Sequence, residues 1–327
     1  MKTFFWTILM TLLTSQLPAT ELMHRTLLEF EKTNNAFVWE EIQLKPFDEL
    51  IVSWDAQRPL TGSYLIQVSL WTSEWSPWFD YAFWSVHDQY TFKKCLPDQN
   101  IQVHQDAVEV LQDGKASGFR IRILTNENAS LDGFRTLHIS AIDRKTHTIS
   151  FIPCENVFVH LKVKGISQMA LSDERHPRLC SPTSTTAVIN FLSNTLALST
   201  IEFANSVVDS AFDIYGNWIL NTAQASHLLG QPWHCFVARL TTFNQIIDQL
   251  VKGYPVVVSI RGPLQGSALP YESGHLVVVT GYDSKHEEVF CMDPAFPTDD
   301  LTAVKYPLNE FLTAWGRRQG IAYIFSQ

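Results

Sequence analysis

The chain has 327 residues, 46% of them hydrophobic and 17% charged, with a formal net charge of -9. Such a chain can bury one large core or two ordinary ones. The acidic balance leaves no basic face for a phosphate backbone, which argues against nucleic acid and anionic membrane surfaces as partners.

The first residues read as a targeting segment. Lys2 supplies a short positive region, residues 3–13 are almost wholly apolar, and Leu17-Pro18-Ala19 offers a small residue for cleavage, so residues 1–19 are expected to be a signal peptide. The apolar run is shorter than the roughly 20 residues that cross a bilayer, and no later run is long enough, so no stable membrane insertion is expected after cleavage. An exported protein, periplasmic or extracellular, follows as the expected location.

Residues 22–150 carry short runs of strand periodicity: Tyr64-Leu65-Ile66-Gln67-Val68-Ser69-Leu70, Phe119-Arg120-Ile121-Arg122-Ile123-Leu124 and Leu137-His138-Ile139-Ser140-Ala141-Ile142. Turn signals such as Pro59-Leu60-Thr61-Gly62 and Gln112-Asp113-Gly114 separate them. This pattern predicts an N-terminal antiparallel β-sandwich acting as an accessory domain. Six of the ten tryptophans (Trp39, Trp54, Trp71, Trp75, Trp78 and Trp84) fall here. Core packing accounts for large rings in a sandwich, and exposed rings would instead suggest carbohydrate or peptide contact.

Beyond residue 158 the periodicity becomes helical. Ala187, Val188, Phe191 and Leu192 mark one helix face after Pro182, and Ile201–Phe212 continues a similar stripe. Asn221 is expected to cap a helix ending at Gly230, and Phe243–Lys252 forms another that Gly253 stops. Strands are predicted at 255–260, 275–282, 288–293 and 321–325, with a helix near 308–315 between the last two. The whole is an α+β chain.

Five cysteines leave at least one unpaired, and their spacing suggests neither a disulfide scaffold nor a zinc site. Cys180 stands out. In Leu179-Cys180-Ser181-Pro182-Thr183-Ser184, Ser181 is expected to cap and Pro182 to open a helix, placing the thiol beside N–H groups that favour its thiolate. A cysteine nucleophile needs a base, and His275 starts the apolar run Leu276-Val277-Val278-Val279. A hairpin folded about Ser284 sets His275 opposite Asp293, nine residues to either side, where a carboxylate would orient the ring. Gln168, twelve residues before Cys180, is a candidate oxyanion donor. Asn217, Trp218 and Asn221 follow an aromatic turn and are candidates for the substrate side of the cleft.

With these residues in place, residues 158–327 resemble the papain-like cysteine peptidases, in the branch related to the leader peptidases of bacteriocin exporters. The resemblance rests, in order, on Ser167-Gln168-Met169, Leu179-Cys180-Ser181-Pro182-Thr183-Ser184, Tyr215-Gly216-Asn217-Trp218, Gly253-Tyr254-Pro255-Val256-Val257-Val258-Ser259, Gly274-His275-Leu276-Val277-Val278 and Met292-Asp293-Pro294-Ala295. It implies Cys180 as nucleophile, His275 as general base and acid, Asp293 as orienting group and Gln168 as oxyanion donor, with no metal or organic cofactor. The chain departs from the leader peptidases in a longer gap between glutamine and cysteine and in lacking a fused transporter. Hydrolysis of another amide, in a peptide or in cell-wall material, fits the same pattern. Two other readings use the same residues: an inactive papain-like binding module whose sandwich contacts carbohydrate or protein, and an acyltransferase that passes the acyl group to an amine.

Overall fold

Alternating runs in the first half become strands where their period predicts them. A computed structural model describes residues 20–26, 31–33, 36–97, 100–193 and 195–327, so the signal peptide expected at residues 1–19 lies outside the described residues. The first half contains β1 (Thr20–Thr26), β2 (Glu31–Thr33), β3 (Ala36–Glu41), β4 (Glu49–Ala56), β5 (Ser63–Trp71), β6 (Phe79–Ser85), β7 (Gln89–Thr91), β8 (Lys93–Leu96), β9 (Ile101–His104), β10 (Ala107–Val110), β11 (Gly118–Asn126) and β12 (Phe134–Ile142). They form two antiparallel sheets of six strands, ordered β1-β12-β4-β10-β9-β8 and β2-β3-β11-β5-β6-β7.

The two sheets meet through β4 and β6. The rings of Trp54 and Trp84 lie 6.0 Å apart, and the Tyr81 hydroxyl accepts from Val52 N at 3.1 Å and donates to Asp106 O at 2.5 Å. Trp39, Trp54 and Trp84 are buried, as core packing requires. Trp75 and Trp78 are only partly buried and hold the Arg120 guanidinium between them, 4.7 and 4.6 Å from their ring centroids. The six tryptophans therefore divide between the core and the opposite face of β11, where Arg120 and Arg122 alternate with the buried Phe119, Ile121 and Ile123.

The second half runs β13 (Phe158–His160), α1 (Cys180–Leu192), α2 (Thr200–Val207), α3 (Trp218–Leu229), β14 (His234–Arg239), α4 (Phe243–Val251), β15 (Val256–Ile260), β16 (His275–Asp283), β17 (Glu288–Met292), β18 (Ala303–Pro307), α5 (Leu308–Gly316) and β19 (Ile321–Ser326). Its sheet is also antiparallel, ordered β14-β19-β15-β16-β17-β18, with β13 added on β16. The chain is thus α+β with mostly antiparallel sheets, as its sequence leads one to expect.

Three local expectations are corrected. Ser181 does not cap α1; the helix starts two residues earlier than expected, Leu179 takes the cap position without a side-chain bond, and the Ser181 hydroxyl pairs with Tyr323 Oη at 2.9 Å. The stripe at 201–212 is helical only to Val207, because the chain then turns to bring Asp209 N onto Ile214 O and the Asp209 carboxylate onto Thr91 of the first half. Asn221 does not cap α3; Asn217 does, through Leu220 N at 3.2 Å, while Gly230 ends the helix as expected.

One apolar core runs through both halves, joining residues of β4, β5 and β12 to residues of α1, α3 and β14. Along β14, the N–H groups of Cys235, Val237 and Arg239 donate to Asp55 Oδ1, Ser53 Oγ and Ser140 Oγ at 2.8, 3.1 and 3.0 Å. Arg239 also forms a buried ion pair with Glu49. These contacts explain why polar residues occupy buried positions on β4 and β12.

Candidate active site

Cys180 is the first residue of α1 and is half-buried. The N–H groups at a helix start have no intrahelical acceptor, so the thiol sits where a negative charge is favoured. Helix α1 is tied to β16 by Ser184 Oγ, which donates to Leu276 O at 3.0 Å, next to His275. Burial pushes the Cys180 thiol up, but a hydrogen bond to His275, the charge on that ring, and the N–H groups of Leu276 and Ser181 outweigh it and bring the thiol below its ordinary value.

His275 begins β16 and is buried. Its Nε2 lies 2.8 Å from Asp293 Oδ1, which leaves Nδ1 for the thiol. Burial opposes a charge on this ring, yet the Asp293 carboxylate and the bonds to Asp293 and Cys180 raise it to about 10. A lowered thiol and a raised imidazole both favour the thiolate–imidazolium pair over the neutral thiol and ring.

Asp293 is fully buried just past the end of β17. Four donors satisfy it: His275 Nε2 and Ala295 N on Oδ1 at 2.8 and 3.0 Å, and the hydroxyls of Tyr271 and Tyr306 on Oδ2, each at 2.6 Å. Burial raises this carboxyl, but the charge of His275 and the bonds from His275 and both tyrosines bring it below the ordinary range. Both phenols are pushed up, first by burial and then by the carboxylate, so they remain donors.

The hairpin does bring His275 and Asp293 together, but not in direct opposition. Val278 pairs with Met292, and continuing that register sets His275 level with residue 295, two beyond Asp293. The difference comes from the turn, which centres between Lys285 and His286 because Asp283 pairs with Glu288; a bulge between Val279 and Gly281 takes back one residue of it. At Gly281 a Cβ would fall 2.3 Å from Val159 O, so only glycine lets β13 dock there.

Gln168 is buried, and its backbone N donates to Pro294 O at 2.9 Å, beside Asp293. Its side-chain Nε2 donates to His176 O at 2.9 Å, in the turn that leads into Cys180. That bond uses one of the two amide hydrogens and fixes the approach to α1.

Asn217 and Asn221, expected on the substrate side, are fully buried and engaged elsewhere. Asn217 Nδ2 donates to Asp209 Oδ2 at 3.0 Å, and Asn221 Nδ2 donates to Tyr215 O and Asn217 O at 2.9 and 2.7 Å. The Trp218 N–H donates to Asp106 Oδ1 at 2.8 Å, and its ring lies under the guanidiniums of Arg318 and Arg239. All three residues build the start of α3, because buried backbone groups there require partners; for Asn217 and Asn221 the substrate-side expectation is corrected, while Trp218 is only partly buried.

Tyr271 and Tyr306 escape sequence reasoning. Tyr306 sits in the register of β18 opposite Val289, and no spacing marks it. Tyr271 lies in the loop before His275 with φ 49°, a left-handed conformation uncommon for a bulky residue. All five cysteines are unpaired, and burial raises Cys235 and Cys291 well above the ordinary thiol value.

The model of the Peptidase_C39 like family matches residues 160–323. A solved structure described as a C39-like peptidase from Bacillus anthracis is similar over 52% of this chain and 98% of that chain, at 20% sequence identity and a TM-score of 0.39. No curated protein matches the chain.

Proposed function

Since the chain belongs to the Peptidase_C39 like family, we propose that it is an exported cysteine hydrolase that cleaves a peptide or related amide bond through an acyl-enzyme on Cys180. The observation that carries this reading is the ordered contact from the Cys180 thiol to His275 and from His275 Nε2 to Asp293. In this reading residues 1–19 are a signal peptide, 22–150 an accessory β-sandwich and 158–327 the papain-like hydrolase domain. The compartment is periplasmic or extracellular.

The Cys180 thiolate attacks the scissile carbonyl carbon, and the oxyanion is held by backbone N–H at the start of α1 and by the second amide hydrogen of Gln168. His275, as imidazolium, gives its Nδ1 proton to the leaving amine, and the C–N bond breaks. The neutral ring then takes a proton from water, whose oxygen attacks the thioester; the tetrahedral intermediate expels the thiolate and releases the carboxylic acid, and the imidazolium that remains restores the ion pair. Asp293 keeps Nε2 protonated throughout, and Tyr271 and Tyr306 hold the carboxylate in place. The substrate is a peptide or a cell-wall-type amide. Carbohydrate contact is assigned to the first half, at Trp75, Trp78 and Arg120.

An activity-based thiol probe, followed by peptide-library profiling of the natural chain against Cys180→Ala, tests this reading. Labelling is expected at Cys180 first, with cleavage lost in the variant and labelling weakened in His275→Ala. Equal labelling of several cysteines, indifferent to His275, would sink it.

A further inference from the structure

Away from Cys180, where the two halves meet, four strands bring three histidines and one aspartate into a single cluster. Asp55 on β4 is fully buried. Its Oδ2 contacts His138 Nε2 of β12 at 2.8 Å and His234 Nδ1 of β14 at 2.6 Å. The three ligand atoms all lie within 4.8 Å of one another. His24 on β1 pairs in register with His138, and their Nδ1 atoms stand 2.6 Å apart.

We propose that Asp55, His138 and His234 form a binding site for one divalent transition-metal ion of the zinc type. Two imidazoles and a carboxylate are a donor set suited to zinc, and three protein ligands leave a fourth position for water or another group. The surroundings match what such ligands require. His138 uses Nε2 toward the site and has His24 Nδ1 against its other nitrogen, while Asp55 Oδ1 receives the Cys235 N–H at 2.8 Å. Outer partners of this kind fix the ring orientation and the free carboxylate oxygen. Ligation needs only that each neutral ring carry its proton on the nitrogen turned away from the metal, so His138 donates to His24 from Nδ1 and His234 keeps its proton on Nε2.

His234 also lines a cavity of about 560 Å³ at this seam, together with Trp233, Phe37 and Arg135. A small donor group can enter there beside the ion. Because β1, β4 and β12 belong to the first half and β14 to the second, the bound ion would join the halves across their shared boundary. Its donors come from three separate strands, which is why residue spacing in the chain does not reveal it.

The test is titration of Zn²⁺, and of Co²⁺ as an absorbing substitute, into the full chain carrying Cys180→Ala and no polyhistidine tag, so that the thiol beside His275 does not compete. One equivalent per chain is expected, with the visible absorption of a four-coordinate Co²⁺ centre and a raised melting temperature. His234→Asn retains an N–H toward Asp55 but removes the imidazole ligand, and should weaken binding by more than about 100-fold. His24→Ala removes only the outer partner and should weaken it by about 10- to 100-fold. Absence of binding to the Cys180→Ala chain, or equal binding by His234→Asn, overturns the proposal. Should His234→Asn fail to fold, unaltered binding by His24→Ala does the same.

Discussion

The ring of Tyr271 lies stacked on the imidazole of His275, with centroids 4.1 Å apart and planes 15° from parallel, while its hydroxyl donates to the carboxylate that holds His275 Nε2. One side chain therefore fixes both the plane of the base and its orienting group. Tyr271→Phe keeps the stack and loses a hydrogen bond to a charged acceptor. Alkylation of Cys180 by iodoacetamide at neutral pH should slow by about tenfold, equivalent to about 1.4 kcal/mol. Tyr271→Ala, which also removes the stack, should slow it further.

The pH dependence of the same reaction tests the ion pair. The thiolate fraction grows as pH rises through the Cys180 value, which lies below that of an ordinary thiol. The imidazolium is lost as pH rises through about 10. Alkylation should thus reach its plateau at a lower pH than for an ordinary thiol, and amide cleavage, which also needs the imidazolium proton, should fall as pH approaches 10. In His275→Ala the thiol loses its counter-charge and the alkylation profile should move to higher pH.

Removing the buried carboxylate should cost both rate and stability. Asp293→Ala leaves the His275 ring and the hydroxyls of Tyr271 and Tyr306 without their acceptor. Breaking a buried, hydrogen-bonded ion pair costs about 3–5 kcal/mol, which urea unfolding will read.

Asn217→Ala separates a structural role from a substrate-side one. It deletes a helix cap and the partner of Asp209, so a loss of about 1–2 kcal/mol in unfolding free energy is expected. Alkylation of Cys180 in the folded variant should keep the natural rate and pH profile.

Much of the hydrolase half was legible because its signals are local. A small cap-forming residue and a proline after Cys180 mark a helix start, and an apolar run after His275 marks a strand, whatever lies around them. Ser181 turned out to serve Tyr323 instead of the helix end, yet the helix formed with its start only two residues earlier. The relation of His275 to Asp293 was readable as a hairpin, but its register was not. That depends on where the turn closes in the folded chain: Asp283 pairs with Glu288, so the hairpin centres between Lys285 and His286 and not at Ser284. Tyr271 and Tyr306 were hidden for the same reason: their value lies in a carboxylate reached only after folding. The polar residues of β14, β4 and β12 satisfy one another across the seam, so no single stretch shows why Asp55 or Ser53 is buried.

An edge strand offers a row of unpaired N–H groups to any extended peptide that meets it, and so invites foreign strand addition. On β14 those donors are already occupied by side chains of Asp55, Ser53 and Ser140. The third sheet is consequently sealed along that margin. An incoming polypeptide that extends this sheet is left the margins at β18 and at the short β13.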